Sequence, residues 1–393
     1  MQPREKKSNK KMLAAVGIIL VVLIAVGAYY SFGTTNPPAT TTTSGINTMT
    51  YESMQPVTLN GAGATFPFPL ISKMSAEYNK LYPAVQINYQ SIGSGGGIRQ
   101  FTVKTVDFGA SDAPLSDAQF ANVTGPLHIP FTIGGVVPTY NVPGVDSGLK
   151  FTGPILADIF LGKITKWNDP QLVAINPGVN LPSADIIVVH RSDGSGTTYV
   201  WTNYLSDVSS EWKENVGKST SVNWPVGLGG KGNEGVAGIV TQNPNSLGYN
   251  EFAYATINKI TFGAVQNAAG NYVLPSLESF TAAVSAASST LPKGDENWSK
   301  VSIIDSIVSN SSAANAYPVT SFSYLLVYKE LNIIPGMDLN RAKALVSFLW
   351  WTVHDGQQYA SPLVYVPLPG SVVTLDEATI KTITFNGQSV FQG

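Results

Sequence analysis

The chain of 393 residues contains no cysteine, which excludes a disulfide scaffold, a thiolate metal site, a cysteine nucleophile and a lipidated N-terminal cysteine. Its three histidines, His128, His190 and His354, lie far apart in sequence and leave little material for a His-rich metal centre. Charge is also scarce: 12% of residues are Asp, Glu, Lys or Arg, with a formal net of −2. Five of the 23 basic residues and one of the 25 acidic ones fall within residues 1–11, so the remainder carries 18 bases against 24 acids, a net of −6. That balance argues against a general nucleic-acid-binding surface. What is plentiful is apolar. A hydrophobic fraction of 44% excludes a wholly disordered chain, while 37 glycines and 25 prolines call for many turns. The length exceeds what one compact core usually holds and predicts two domains.

The N-terminus sets the expected compartment. Residues 12–32, from Met12 to Phe32, form a run of 21 residues without a charge, enough helix to span about 30 Å of hydrocarbon. The basic residues 1–11 immediately before it predict a cytoplasmic N-terminal segment, with everything after the span outside the cell. A cleaved signal peptide is the alternative, but its apolar stretch is normally shorter and ends in a small-x-small site that is not evident here. Residues 33–54, rich in Thr and Pro, read as a flexible stalk. Sequons at Asn122, Asn297 and Asn310 suit an exterior protein.

Beyond the stalk, short β-rich runs alternate with helical patterns. Strands are expected over 85–91, 106–110, 129–140, 186–190 and 320–328. Helices are expected over 68–81, 97–104, 155–161, 197–205, 234–241, 276–287 and 340–354. Such alternation indicates an α/β fold with helices on both faces of its sheets.

Three segments share one design, in which a strand ends, small residues follow and a helix begins. They run from Asn60 through Thr65 to Phe66, from Ile92 through Ser94 to Gly97, and from Arg191 through Asp193, Ser195 and Gly196 to Thr197. The first turn of a helix offers unpaired N–H groups and the positive end of its dipole, and small residues let an anion approach them. One such loop is commonplace. Three meeting at one point, with the permanent charge and forked donors of Arg191, would hold a small tetrahedral oxyanion. A salt bridge from Arg191 to Asp193 is the bland alternative, and both can hold. A fourth segment ends a strand at Asp112, which taken alone reads as a turn or N-cap residue.

Several motifs fail on inspection. Gly217-Lys218-Ser219 lacks the glycine a P-loop needs five positions earlier, where Trp212 stands. Residues 230–235 fit GxGxxG, with Glu251 about twenty residues on, but this is a lone short match in a chain expected outside the cell, where NAD is scarce. Asp193 occupies the first glycine position of a GxSxG around Ser195. The acids show no metal-like spacing. Neither a metal nor a cofactor is expected.

Taken in order, GAGATFPFPL (61–70), IGSGGG (92–97), VDFGASDAPLSD (106–117), HRSDGSGTT (190–198) and WPVGLGGKGNEG (224–235) closely resemble the phosphate-binding proteins of phosphate ABC transporters, which have the type II periplasmic binding-protein fold. The resemblance extends over most of residues 59–330 and weakens in the last 60. His190 departs from it, standing where a second arginine occurs. The resemblance implies two α/β lobes about a hinge: lobe I from 55–138 and 320–393, lobe II from 139–319, with crossovers near 136–141 and 318–324. It implies phosphate ligands Thr65, Phe66 (through its N–H), Ser94, Asp112, Arg191, Ser195, Gly196 and Thr197, with Asp193 supporting Arg191. Its implied partners are inorganic phosphate, a membrane permease and a cytoplasmic ATPase; the receptor itself would be a monomer with no catalytic residue. Two alternatives stay open: a phosphate-ester hydrolase using Ser195 as nucleophile, and a non-transport oxyanion-binding or adhesion module on the same fold.

Overall fold

The computed structural model describes residues 55–287 and 291–391. The basic segment, the span and the stalk expected over 1–54 lie outside the described residues. Among the described residues, no helix is long and apolar enough to cross a membrane.

Eight strands form the main sheet system: β1 (Val57–Gly63), β2 (Val85–Ser91), β3 (Phe108–Ser111), β4 (Pro126–Asn141), β5 (Ile187–Arg191), β6 (Leu228–Gly230), β7 (Ser246–Glu251) and β8 (Thr320–Tyr328). Their spatial order is β2-β1-β3-β8-β4-β7-β5-β6, with the short strand Thr261–Phe262 added against β4. The order has an internal likeness. The parallel strands β2, β1 and β3 are followed by antiparallel β8, and the parallel strands β6, β5 and β7 by antiparallel β4. The fold is therefore a mixed α/β fold of two lobes whose sheets share strand β4. Residues 126–135 of β4 pair with β8, and from Val136 onward the same strand pairs with β7.

β4 is buried along nearly its whole length, so it reads as a continuous apolar run rather than an alternation. Its pairing with β8 slips between Ser323 and Tyr324, where Tyr324 faces Pro130. A proline has no N–H for the ladder, and a bulge is where a central strand tolerates one.

The principal helices follow the strands: α1 (Phe68–Leu81), α2 (Ser94–Thr102), α3 (Gly153–Phe160), α4 (Gly196–Val208), α5 (Gly232–Gln242), α6 (Phe252–Ile257), α7 (Leu277–Ala286), α8 (Leu339–Val353) and α9 (Gly370–Ile380). Helix α1 buries Leu70, Ile71, Met74 and Tyr78, a stripe at helical spacing. Helix α8, expected over 340–354, buries Leu345, Phe348, Leu349 and Trp351.

Two boundaries matter for the site. Residues 60–63, read as loop from their glycines, belong to β1, so the turn is confined to 64–67. Helix α2 begins at Ser94 rather than Gly97, with Gly93 as its N-cap at φ 81°, a backbone conformation that favours glycine. Strand β7 and helices α6 and α9 have no counterpart among the predicted elements.

Candidate functional site

The C-terminal ends of the parallel strands in both lobes converge, which is where open α/β sheets present their ligand loops. β1 leads to Thr65 and Phe66, β2 to Ser94 and β3 to Asp112, while β5 ends at Arg191 and leads to Ser195, Gly196 and Thr197. All eight residues are buried. Asp112, expected from its local context to be a turn or cap residue, caps no helix. It is a carboxylate 1% exposed at the point where the loops meet.

The two lobes touch through this cluster. The Gly196 N–H donates to Ser94 Oγ at 2.9 Å, and the Gly95 N–H donates to the Gly194 carbonyl at 2.9 Å. A Cβ at Gly196 would stand 2.5 Å from Asp112 Oδ2 and 2.6 Å from Ser94 Oγ, so only glycine fits there.

Arg191 and Asp193 form a fork: Nε donates to Oδ1 at 2.7 Å and Nη2 to Oδ2 at 2.6 Å. This is the bidentate geometry that fixes a guanidinium in one plane. The Nη1 end remains directed at Thr197 Oγ1, 3.5 Å away. Burial alone would raise the Asp193 carboxyl, but the Arg191 guanidinium and the Gly232 N–H bring it below its ordinary value. Asp193 is thus an anion that orients Arg191.

Asp112 is in the opposite situation. Burial pushes its carboxyl up to about 7, against the hydrogen bond from Ser323 Oγ, the charge of Arg191 and the Ser94 hydroxyl. Ser323 donates to Asp112 Oδ1 at 2.8 Å. One proton on or off this group is therefore decided near neutral pH.

Sequence reasoning missed the residue that ties the cluster together. Asn233 Nδ2 donates to Thr65 Oγ1 at 2.9 Å and to Thr197 Oγ1 at 3.0 Å, one hydroxyl from each lobe. Its Oδ1 accepts from the Glu251 N–H at 3.0 Å. Asn233 lies inside the GxGxxG match that was set aside as a nucleotide motif, and no local signal distinguishes it.

Three tyrosines were missed as well. Tyr89, Tyr254 and Tyr365 donate their hydroxyls to the carbonyls of Ala64, Thr65 and Phe66 at 2.7, 2.6 and 2.7 Å respectively. Three consecutive carbonyls are held from three separate elements. The Phe66 N–H has no protein acceptor among the described residues.

The Ser195 hydroxyl caps α4 by accepting from the Thr198 N–H at 3.1 Å. No histidine or carboxylate is among its hydrogen-bond partners in the described residues. His190 faces elsewhere: its ring stacks on Trp224 at 4.7 Å, and desolvation lowers its pKa. Among the described residues, no group of His, Asp and Glu could hold a metal ion.

Comparison with known proteins gives a consistent picture. A sequence model described as a PBP superfamily domain matches residues 35–355. A protein of Xylella fastidiosa (strain 9a5c) named phosphate-binding protein PstS is 48% identical over 328 residues, covering 83% of this chain and 86% of its own. The protein of the same name from Pasteurella multocida (strain Pm70) is 46% identical over 329 residues, covering 84% and 91%. Among solved structures, a high-affinity periplasmic phosphate-binding protein (PfluDING) bound with phosphate superposes with a TM-score of 0.64 at 18% identity, covering 84% of this chain and 97% of that one.

Proposed function

The chain belongs to the PBP superfamily and, within it, to the phosphate-binding proteins; from that premise we propose that it captures inorganic phosphate between its lobes and delivers it to an ABC-type importer. The observation that carries this reading is the polarity of the hydroxyls. Thr65 and Thr197 accept from Asn233, Ser94 accepts from Gly196, and Ser195 accepts from Thr198. Each oxygen already has a donor on a lone pair, so the hydroxyl hydrogens of Thr65, Ser195 and Thr197 can turn toward an anion, and that of Ser94 can leave Asp112 Oδ2, 3.5 Å away, for it. The free Phe66 N–H and the Nη1 end of Arg191 add donors of the same sense. Seven residues thus present hydrogens to one buried point, and Asp112 presents oxygens. The Gly196 N–H, bonded to Ser94 here, becomes a ligand donor when a phosphate oxygen takes the place of that acceptor.

Asp112 supplies selectivity. As a carboxylate it can only accept, so it requires a ligand that carries a proton, as phosphate does at neutral pH and sulfate does not. Two unit negative charges held at hydrogen-bond distance repel by roughly 6 kcal/mol at an effective dielectric of 20. A fraction of that discriminates by powers of ten.

Lobe I comprises 55–138 and 320–393, and lobe II 139–319, hinged where β4 leaves β8 for β7. Phosphate capture closes this hinge. The apolar run 12–32 anchors the chain in the membrane, and the stalk 33–54 keeps the receptor at high effective concentration beside a permease driven by a cytoplasmic ATPase. The receptor works as a monomer outside the cell. Calorimetric titration of the full chain in detergent with phosphate, sulfate and arsenate tests this reading, together with an assay for phosphate release from an ester. Tight binding of phosphate, weak binding of sulfate and no release are expected. Equal binding of sulfate, or turnover of the ester, would overturn it.

A further inference from the structure

Glu251, at the end of β7, has no role in the reading above and is fully buried. Its Oε2 accepts from the Ala253 N–H at 2.8 Å and lies 3.1 Å from the Tyr365 hydroxyl; its Oε1 has no hydrogen-bond partner. The Tyr365 hydroxyl has one hydrogen and two neighbouring oxygens. One of these is the Phe66 carbonyl at 2.7 Å, which can only accept. If the tyrosine gives its hydrogen to Phe66, its oxygen must accept from Glu251. An ionised Glu251 has nothing to give, and the 3.1 Å contact would then join two acceptors.

We propose that Glu251 is a positioning residue that works as a neutral carboxylic acid, donating from Oε2 to Tyr365 so that Tyr365 donates to the Phe66 carbonyl and pins the peptide that follows Phe66, holding the turn that carries the Phe66 N–H in place. The inference rests on the reading of residues 64–66 as a phosphate-binding turn. A single oxygen does both jobs here: protonated Oε2 still accepts from Ala253 while it donates to Tyr365. An amide cannot reproduce this, since its nitrogen only donates and its oxygen only accepts.

The surroundings favour the neutral form. Burial raises the Glu251 carboxyl well above its ordinary value, outweighing the donors that would favour an ionised form, the Ala253 and Tyr254 N–H groups and the Tyr365 hydroxyl, and the nearby Asp112 carboxyl raises it further. The titratable groups that bear on it are Asp112 across the cleft, Tyr365 and Tyr254; Arg191 and Glu234 in turn act on Tyr254. The unpartnered Oε1 fits as well. A carbonyl oxygen without a donor costs far less in a buried site than an ionised one.

The test pairs infrared spectroscopy with phosphate titration on the full chain in detergent. At pH 7 the wild type minus Glu251→Gln difference should show the C=O stretch of a protonated carboxylic acid, and Tyr365→Phe should shift that band by removing its acceptor. Each substitution should raise the phosphate Kd about tenfold, the loss of one buried hydrogen bond, and the double variant should lose no more than either single one. If Glu251→Gln fails to fold, the Tyr365→Phe band shift decides alone. A carboxylate band in the wild type, or wild-type phosphate affinity in both variants, overturns the inference while leaving phosphate binding intact. A wild-type chain that does not bind phosphate overturns the reading beneath it.

Discussion

The two turns that face each other across the cleft are held by opposite means. Residues 191–197 place their charge from within, where Arg191 is gripped by Asp193 two residues away and Ser195 caps the helix that begins at Gly196, with Gly232 and Asn233 of α5 adding support. Residues 64–66 are fixed from outside, by tyrosine hydroxyls 25, 189 and 299 positions distant in the chain. A turn that carries a formal charge needs a counter-charge close by, and a short motif can encode one. A turn that offers a hydroxyl and a backbone dipole but no charge needs its carbonyls immobilised, and partners for that come from wherever the fold brings them.

If the contrast is right, damage to the self-contained turn should be severe and damage to the other should be divisible. Arg191→Ala is expected to raise the phosphate Kd at least about a hundredfold, since it removes one partner of a buried pair and leaves Asp193 uncompensated. Asp193→Asn should follow at about tenfold or more, because the charge-assisted fork loses its anion. Tyr254→Phe removes one of three parallel supports and should cost about fivefold. Calorimetry on the three variants orders them; a Tyr254→Phe loss as large as that of Arg191→Ala would erase the distinction between the turns.

The pH dependence tests the acid that both turns face. The Asp112 carboxyl is raised from 3.8 to about 7 in the folded protein, so the folded state binds the proton more tightly than the unfolded chain does. Its stabilising share is full below about 3.8 and is lost as the pH rises toward 7. The melting temperature of the phosphate-free protein should therefore fall across this window, and Asp112→Asn should flatten the fall. Competition sharpens the same point. Below about 7 the neutral acid can donate to sulfate, so sulfate should displace phosphate more readily at acidic pH. In Asp112→Asn, sulfate should compete at every pH.

The same contrast explains how much could be read from sequence. Strands 85–91 and 320–328 and helix 68–81 occur at the residues predicted for them. The first two carry β-rich side chains, and the helix shows a clear apolar stripe. Strand β7 escaped because SLGYNE, though every residue of it is buried, is short and carries Ser, Gly, Asn and Glu, which read as turn rather than strand. Helix α9 spreads its apolar residues around its circumference and offers no stripe. At the site, the residues in short small-residue motifs were legible. Asn233, Tyr89, Tyr254, Tyr365 and Glu251 were not, because each acts on a turn far from it in sequence and carries no mark of its own.

Gly196 has a broader consequence. With no side chain it lets the edge of one lobe come to rest directly on Asp112 and Ser94, so the closure proposed above would end at a hard stop. Adding carbon atoms there one at a time, from alanine to valine, would act as a graded wedge. Such a series would convert a motion into a ruler, with each step holding the jaws ajar by a fixed amount.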